Sequence, residues 1–289
     1  MFIYLNDRFV LEKDALISVF DHGFLYGDGI FETLRAYNGL IFKPEKHIER
    51  FNRSGQSLGL KEIRTGEELI TILYSSLNKN RIKDAYIRIS MSRGEGKIGL
   101  DPDLCRHPTL VVITKEFKGY PESMYEKGVE AAIVNTRRNL PSALNPKIKS
   151  TNMINNILAK IEAKALGVYE GIMLNNEGYI AEGTISNIFM VKDETIFTPP
   201  VEAGILDGVT RESVISLAGS IGLNVKETQI LPADIYDADE AFLTNTTLEI
   251  ISVVKIDRKM IGDGRPGAIT KGLLTAFRRD VSGVFTKSL

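Results

Sequence analysis

The chain has no tryptophan, one cysteine and three histidines among its 289 residues. A lone thiol, Cys105, has no partner for an intramolecular disulfide and no companions for a zinc site, a pattern that fits a reducing cytoplasm. Three scattered histidines make a His-rich metal centre a poor expectation, so none is expected. An excess of one charge is missing too. Thirty-six basic and 37 acidic residues leave a formal net charge of −1, without the positive field that gathers nucleic acid or an anionic membrane. No apolar run approaches the ~18 residues of a membrane span, and the first residues lack the basic-then-apolar layout of a secretory signal. The expectation is a soluble, cytoplasmic globular protein whose chemistry comes from ordinary side chains or an organic cofactor.

What is present is patterned for about two domains at ~150 residues each. The first half reads as α+β with hairpin connections. Strands are expected at Phe2–Leu5 and residues 8–10, and at residues 30–37 and 40–43, the latter pair joined by Asn38-Gly39, a two-residue turn whose positive φ angles suit the strand twist. Pro44 opens a helix with His47, Ile48, Phe51, Ser54 and Leu58 at helical spacing, and residues 66–77 give a second. Strands follow at Ala85–Ser92 and residues 109–114. Periodicity fails over residues 115–127, where Gly119, Pro121, Glu122 and Ser123 cluster as in an interdomain connector. This predicts a small N-terminal domain over 1–117, a linker over 118–124 and a larger C-terminal domain over 125–289. The second half brings a strand at 129–136, a helix at 152–166, strands near 171–174, 179–182 and 187–191, a helix at 211–221, strands near 241–244 and 250–256, and a last helix at Ala268–Val281.

One motif misleads. Gly94-Glu95-Gly96-Lys97-Ile98-Gly99 satisfies G-x-G-x-x-G after a strand, but it runs into Leu100-Asp101-Pro102 with no helix behind it to hold a pyrophosphate. Four other stretches matter more in combination than singly. Lys149 ends a short extended segment ahead of a helix. Glu182 ends a strand before small hydroxyl and amide residues, Gly183 to Asn187. Gly208-Val209-Thr210-Arg211 is a helix start, with Thr210 the expected N-cap, and helix starts suit anions. Thr244 to Thr247 cluster hydroxyls at a strand end, and Arg50 lies on the first helix. Alone, each reads as a solvated or turn residue. Together, a lysine able to form a Schiff base, a carboxylate for a protonated pyridine nitrogen and a cationic phosphate cradle are the parts of a pyridoxal phosphate site.

The ordered motifs Tyr26-Gly27-Asp28-Gly29-Ile30-Phe31-Glu32-Thr33, His47-Ile48-Glu49-Arg50, Ile148 to Asn152, Glu182 to Asn187 and Gly208 to Arg211 resemble those of fold-type IV pyridoxal phosphate enzymes. These class IV aminotransferases include branched-chain aminotransferases, D-amino acid aminotransferases and aminodeoxychorismate lyases. The resemblance covers nearly the whole chain. It implies the two-domain D-amino acid aminotransferase-like fold, with a small α+β domain and a larger β-barrel-like α/β domain. It also implies pyridoxal 5'-phosphate as cofactor, Lys149 as the catalytic lysine and Glu182 as partner of the ring nitrogen. Arg50, the backbone N–H groups of Val209 and Thr210, and the Thr246 hydroxyl would hold the phosphate.

Tyr86-Ile87-Arg88 matches the Tyr-x-Arg of branched-chain enzymes, which implies that Tyr86 and Arg88 line the substrate pocket with Thr246 and Thr247, while Tyr26 and Phe31 form its aromatic wall. The implied reaction is ping-pong transamination between a branched-chain L-amino acid and 2-oxoglutarate. Met153, where that group usually has a tyrosine, and Thr33, where it has a glycine, keep the D-amino acid and lyase alternatives open. A non-catalytic family member is the alternative of a different class, and the presence of both Lys149 and Glu182 argues against it. A homodimer or larger homo-oligomer is implied, with small amino and oxo acids as partners. Because Arg50, Tyr86 and Arg88 precede the connector and Lys149, Glu182, Thr210 and Thr246 follow it, the site is expected in the cleft between the halves.

Overall fold

The computed structural model describes residues 1–281; residues 282–289, the end of the expected C-terminal domain, lie outside the described residues. The chain divides into two units, Met1–Lys118 with Ile148–Met153, and Gly119–Lys147 with the chain from Ile154 onward.

The first unit contains β1 (Phe2–Leu5), β2 (Arg8–Leu11), α1 (His22–Tyr26), β3 (Gly29–Tyr37), β4 (Leu40–Ile41), α2 (Pro44–Ser57), α3 (Gly66–Asn80), β5 (Ala85–Ser92) and β6 (Thr109–Glu116). The strands form one antiparallel sheet in the order β2-β1-β6-β5-β3-β4. The β3–β4 turn takes φ 48° at Asn38 and 86° at Gly39, the left-handed pair that lets a two-residue turn follow the strand twist. Alternation sorts the two faces of the sheet. Ala85, Ile87, Ile89 and Met91 of β5 join Ile30, Leu34 and Ala36 of β3 in the core with Ile48 and Phe51 of α2 and Leu69, Leu73 and Leu77 of α3. Burying each of the larger of these side chains, the two alanines aside, contributes about 1.5–3 kcal/mol as an upper figure. Tyr86, Arg88 and Ser90 therefore fall on the opposite face.

The second unit contains α4 (Glu122–Lys127), β7 (Val129–Ile133), α5 (Ile154–Ala165), β8 (Glu170–Leu174), β9 (Ile180–Gly183), β10 (Asn187–Lys192), β11 (Thr195–Thr198), α6 (Val209–Ser220), β12 (Val225–Glu227), α7 (Pro232–Tyr236), β13 (Glu240–Asn245), β14 (Glu249–Ile256), β15 (Lys259–Met260) and α8 (Ala268–Val281). Its sheet runs β12-β11-β10-β13-β14-β7-β8-β9, with β15 on β14. The end strand β9 also lies against β10, and Gly183 N donates to Ser186 O at 2.7 Å, so the sheet curls back on itself. One face buries Ile188, Met190, Leu243 and Ile251. On the other, Phe189 and Phe242 stack with centroids 4.8 Å apart, and α6 packs against β13.

Several expectations need correction. The 115–127 stretch is not featureless, because β6 runs to Glu116 and α4 occupies Glu122–Lys127. Only Tyr125 of that helix is buried, too little to leave a periodic signal. Helix α6 starts at Val209 with Gly208, not Thr210, as N-cap. A Cβ at Gly208 would meet Asn187 Oδ1 at 2.0 Å, so close packing there requires glycine. The lysine-bearing segment, placed by its sequence position in the second half, packs with the first unit. As expected, no α-helix follows Gly94 to Gly99, only a 3-10 turn at Pro102–Leu104, and the loop is tied down by bridges from Glu95 to Asp21 and from Gly96 to Cys105.

Candidate functional site

In the first unit, Lys149 rides on a strap stitched to the start of β3. Phe31 N donates to Lys149 O at 2.9 Å, Thr151 N donates to Gly29 O at 2.8 Å, and Ser150 bridges Ile30. Thr151 Oγ1 donates to Gly27 O at 2.8 Å, and Lys149 N donates to Ser54 Oγ of α2 at 3.2 Å. Gly29 permits the approach, since a Cβ there would lie 3.2 Å from Thr151 Oγ1 of the strap and 2.8 Å from Met91 O of β5. The strap sets the half-buried Lys149 with its Nζ 4.6 Å from the Phe31 ring centroid, and the Arg88 guanidinium carbon lies 3.8 Å from the same ring. Arg88 Nε donates to Ser90 Oγ at 3.1 Å, which fixes the cation over the aromatic face. Tyr86, two residues before Arg88, shares its face of β5. Tyr26, at the end of α1, meets His22 edge-on at 5.0 Å, and its hydroxyl accepts from Gly99 N at 3.0 Å. Lys149, Phe31, Tyr86 and Arg88 thus belong to one unit.

Arg50 is buried on α2. Its Nε donates to Glu32 Oε1 at 2.6 Å and its Nη2 to Glu32 Oε2 at 2.9 Å, while His47 Nδ1 lies 2.9 Å from the same Oε2. Burial would raise the Glu32 pKa, but the Arg50 charge and the His47 hydrogen bond outweigh it and hold the carboxyl far below its ordinary range. Burial likewise lowers the His47 pKa despite Glu32. The neutral ring must then carry its hydrogen on Nδ1, because an ionised carboxylate only accepts.

In the second unit, Glu182 is buried next to the end of β9. Arg138 Nε donates to Oε1 at 2.6 Å, Leu206 N donates to Oε2 at 3.0 Å, and Asn187 Nδ2 donates to Oε2 at 3.4 Å. Asn187 also donates to Leu206 O at 2.9 Å, tying the carboxylate to the loop before α6. Val209 and Thr210 are the first two residues of α6, so their N–H groups have no acceptor within the helix and lie at the positive end of its dipole. Thr246 and Thr247 occupy the β13–β14 turn. There Asn245 Oδ1 accepts from Thr247 N at 2.9 Å, Thr247 Oγ1 at 3.1 Å and Leu248 N at 2.7 Å. Thr247, expected at the substrate pocket, therefore has its N–H engaged within its own turn.

Sequence reasoning gave no role to Glu32, His47, Arg138 or Glu170. The signal for the first two was a charged residue on the inward parity of β3 and an i, i+3 His/Arg pair on the apolar stripe of α2. Arg138 looked like any arginine after a strand. Glu170, also buried, accepts from Thr184 Oγ1 at 2.5 Å and Ser186 Oγ at 3.0 Å, so those two hydroxyls serve an internal carboxylate.

Taken unit by unit, the donors suit the parts of a phosphorylated aromatic aldehyde with a basic ring nitrogen: the first unit holds a primary amine and a buried cation, and the second holds helix N–H groups suited to a dianion and a held carboxylate suited to a ring nitrogen. Among the described residues no group of three or more His, Cys, Asp or Glu is placed to hold a metal, and no helix is long and apolar enough to cross a membrane.

Comparison with known proteins agrees with this chemistry. The family model Amino-transferase class IV matches residues 29–256. The chain is 45% identical to a putative branched-chain-amino-acid aminotransferase of Methanocaldococcus jannaschii, over 96% of each chain. It is 38% identical to an aminodeoxychorismate lyase of Bacillus subtilis, over 98% of this chain and 95% of the relative. Among solved structures, the branched-chain aminotransferase of the thermophilic archaeon Thermoproteus uzoniensis, determined with norvaline, superposes with a TM-score of 0.91 at 36% identity, covering 98% of this chain and 95% of that one.

Proposed function

Because the chain belongs to the class IV aminotransferases and has their fold-type IV architecture, we propose that it moves the amino group of a branched-chain L-amino acid to 2-oxoglutarate in a ping-pong cycle. Class IV aminotransferases use pyridoxal 5'-phosphate, which when bound accepts into its ring the electron pair released at the substrate α carbon. Lys149 would hold the cofactor through its amine and, once the amine of the incoming amino acid has displaced it, the freed Nζ would take the α proton and redeliver it. Glu182 holds a proton at the ring nitrogen, with Arg138, Asn187 and the Leu206 N–H keeping its oxygens in place. Arg50, the N–H groups of Val209 and Thr210, and Thr246 Oγ1 bind the phosphate.

The observation that carries the substrate reading is the Arg88–Phe31 stack beside Lys149 Nζ. It puts an apolar wall and a carboxylate-binding cation within reach of one amine. Tyr86 and Tyr26 extend that wall, and Thr246 and Thr247 complete the substrate end. The test follows the half-reaction to pyridoxamine phosphate with L-Leu, L-Ile, L-Val, D-Ala, D-Glu and aminodeoxychorismate. Fast conversion of the three branched-chain L-amino acids is expected. A response confined to the D-amino acids, or pyruvate release from aminodeoxychorismate without net amino transfer, would defeat the reading.

The working form in this proposal is a cytoplasmic homodimer or larger homo-oligomer. Phe24, Ile98 and Leu100 are 75%, 75% and 83% exposed, and Ile154, Ile157, Leu158 and Ile161 make an exposed stripe along α5, apolar surface of the kind that marks an interaction site. Light scattering should give at least twice the 32.1 kDa chain mass.

A further inference from the structure

The face of β3 covered by α2 is apolar at Ile30 and Leu34, yet between them stands Glu32, with no exposed surface. Its counter-charge comes from α2, where His47 and Arg50, three residues apart, point at the same carboxylate. Arg50 meets it by two parallel N–H···O contacts of 2.6 and 2.9 Å, and His47 Nδ1 adds a third at 2.9 Å. A buried ion pair of this kind is a poor way to stabilise a helix–sheet contact, since well-packed apolar side chains of similar volume do as well or better. Its useful product is orientation. Arginine is otherwise a long side chain with several rotamers, and a bidentate carboxylate fixes the plane of its guanidinium. The Lys149 charge also reaches His47, where it lowers the imidazole pKa alongside burial. The cluster therefore lies close to the lysine strap. Glu32 is the anion that compensates the buried charge of Arg50, whose helix also accepts the hydrogen bond from Lys149 N to Ser54 Oγ at 3.2 Å.

We infer that Glu32, steadied by His47, is a positioning residue for phosphate recognition: it fixes the Arg50 guanidinium so that the cofactor phosphate meets an oriented arginine. This rests on the proposed role of Arg50. It assigns work to two residues that touch neither the ring nor the substrate, and it predicts that their removal weakens binding of the phosphate while leaving binding of the ring intact.

The test compares dissociation constants of the full-length apoprotein for pyridoxal 5'-phosphate and for pyridoxal, which lacks the phosphate, by absorbance titration. The pyridoxal constant divided by the pyridoxal 5'-phosphate constant isolates phosphate recognition from general damage to the site. Arg50→Met should collapse the ratio. Glu32→Gln should lower it about tenfold or more, with pyridoxal affinity unchanged within about twofold, the scale of one charge-assisted contact. His47→Ala should lower it about threefold, and His47→Asn, which keeps a donor where Nδ1 stands, should restore it. If Glu32→Gln fails to fold, the two His47 variants carry the test. Equal weakening of both ligands, an unchanged ratio in Glu32→Gln, or His47→Ala and His47→Asn that match the parent protein would each overturn the inference. Loss of the ratio in Arg50→Met with retention in Glu32→Gln removes the positioning role alone. Retention in Arg50→Met removes the phosphate role of Arg50 and the inference together.

Discussion

Each of the two units buries one arginine–glutamate pair, and the pairs invert one another. In the first unit Arg50 is the proposed working group and Glu32 its holder. In the second, Glu182 is the proposed working group and Arg138 its holder. Both join at 2.6 Å through the arginine Nε, with every partner under a tenth exposed. The difference lies in what else each glutamate meets. Glu32 takes a histidine and the second guanidinium nitrogen from one helix, which fixes the arginine. Glu182 takes donors from the Leu206 backbone and from Asn187 as well as Arg138, which fixes the carboxylate. In the proposed roles, the same ion pair orients a cation for phosphate in one place and an anion for a ring nitrogen in the other. Which member works is decided by how its partner is anchored.

That inversion can be broken in graded ways. The largest effect is expected at the one group outside both pairs: Lys149→Ala should cut turnover about 10⁴-fold, the upper end for a positioned proton-transfer group, and remove the visible absorption of the holoenzyme. Near-parental kinetics would end the assignment. Next, Arg138→Met strands a buried carboxylate and should cost about 3–5 kcal/mol in urea unfolding; a change under about 1 kcal/mol, the scale of an exposed pair, would mean that Glu182 does not depend on its holder. Glu182→Gln keeps the shape and removes the charge. Its kcat should fall about 10²-fold while the phosphate-dependent part of cofactor affinity stays level, and a loss confined to phosphate binding would contradict the inverted roles.

Smaller effects sharpen the first-unit side. The folded pKa of Glu32 lies below its ordinary value of 4.5, so the unfolded chain takes up the proton more readily. The stabilisation is therefore complete above about pH 4.5 and drains away as pH falls toward the folded pKa. The stability gap between the parent protein and Glu32→Gln should accordingly narrow below about pH 4.5 in acid titrations of unfolding; a gap that widens there would reverse the sign. Finally, Ser54→Ala removes the hydroxyl that accepts from Lys149 N and should cost about 1 kcal/mol, readable in thermal unfolding.

What the sequence made legible was local. Asn38-Gly39 announced its hairpin because a two-residue turn needs positive φ at both positions. Tyr86 and Arg88 could be placed on one face because strand parity is two. Lys149 and Glu182 stood out through family motifs, since no spacing rule marks either. Glu32 stayed silent for a physical reason: a charge on an inward face is meaningful only with its partners, and those lie 15 and 18 residues away on another element. Helix α4 was missed because a six-residue helix with one buried side chain has no period to read. The α6 start was misread by two residues because Thr210 is a good cap by type, whereas the cap is set by the space beside Asn187.

The Lys149 strap has a consequence for how this protein can be divided. Residues 148–153 belong with a sheet whose other strands end before residue 119, so the Lys149 segment and its scaffold are not contiguous in the gene. A fragment ending at the connector would carry Phe31, Arg50 and Arg88 but lose Lys149, along with the hydrogen bonds that cover Gly29 and Phe31. Recombination between relatives at that connector would likewise pair the lysine of one parent with the β3 of another. The natural exchangeable pieces of this protein are therefore not its two halves.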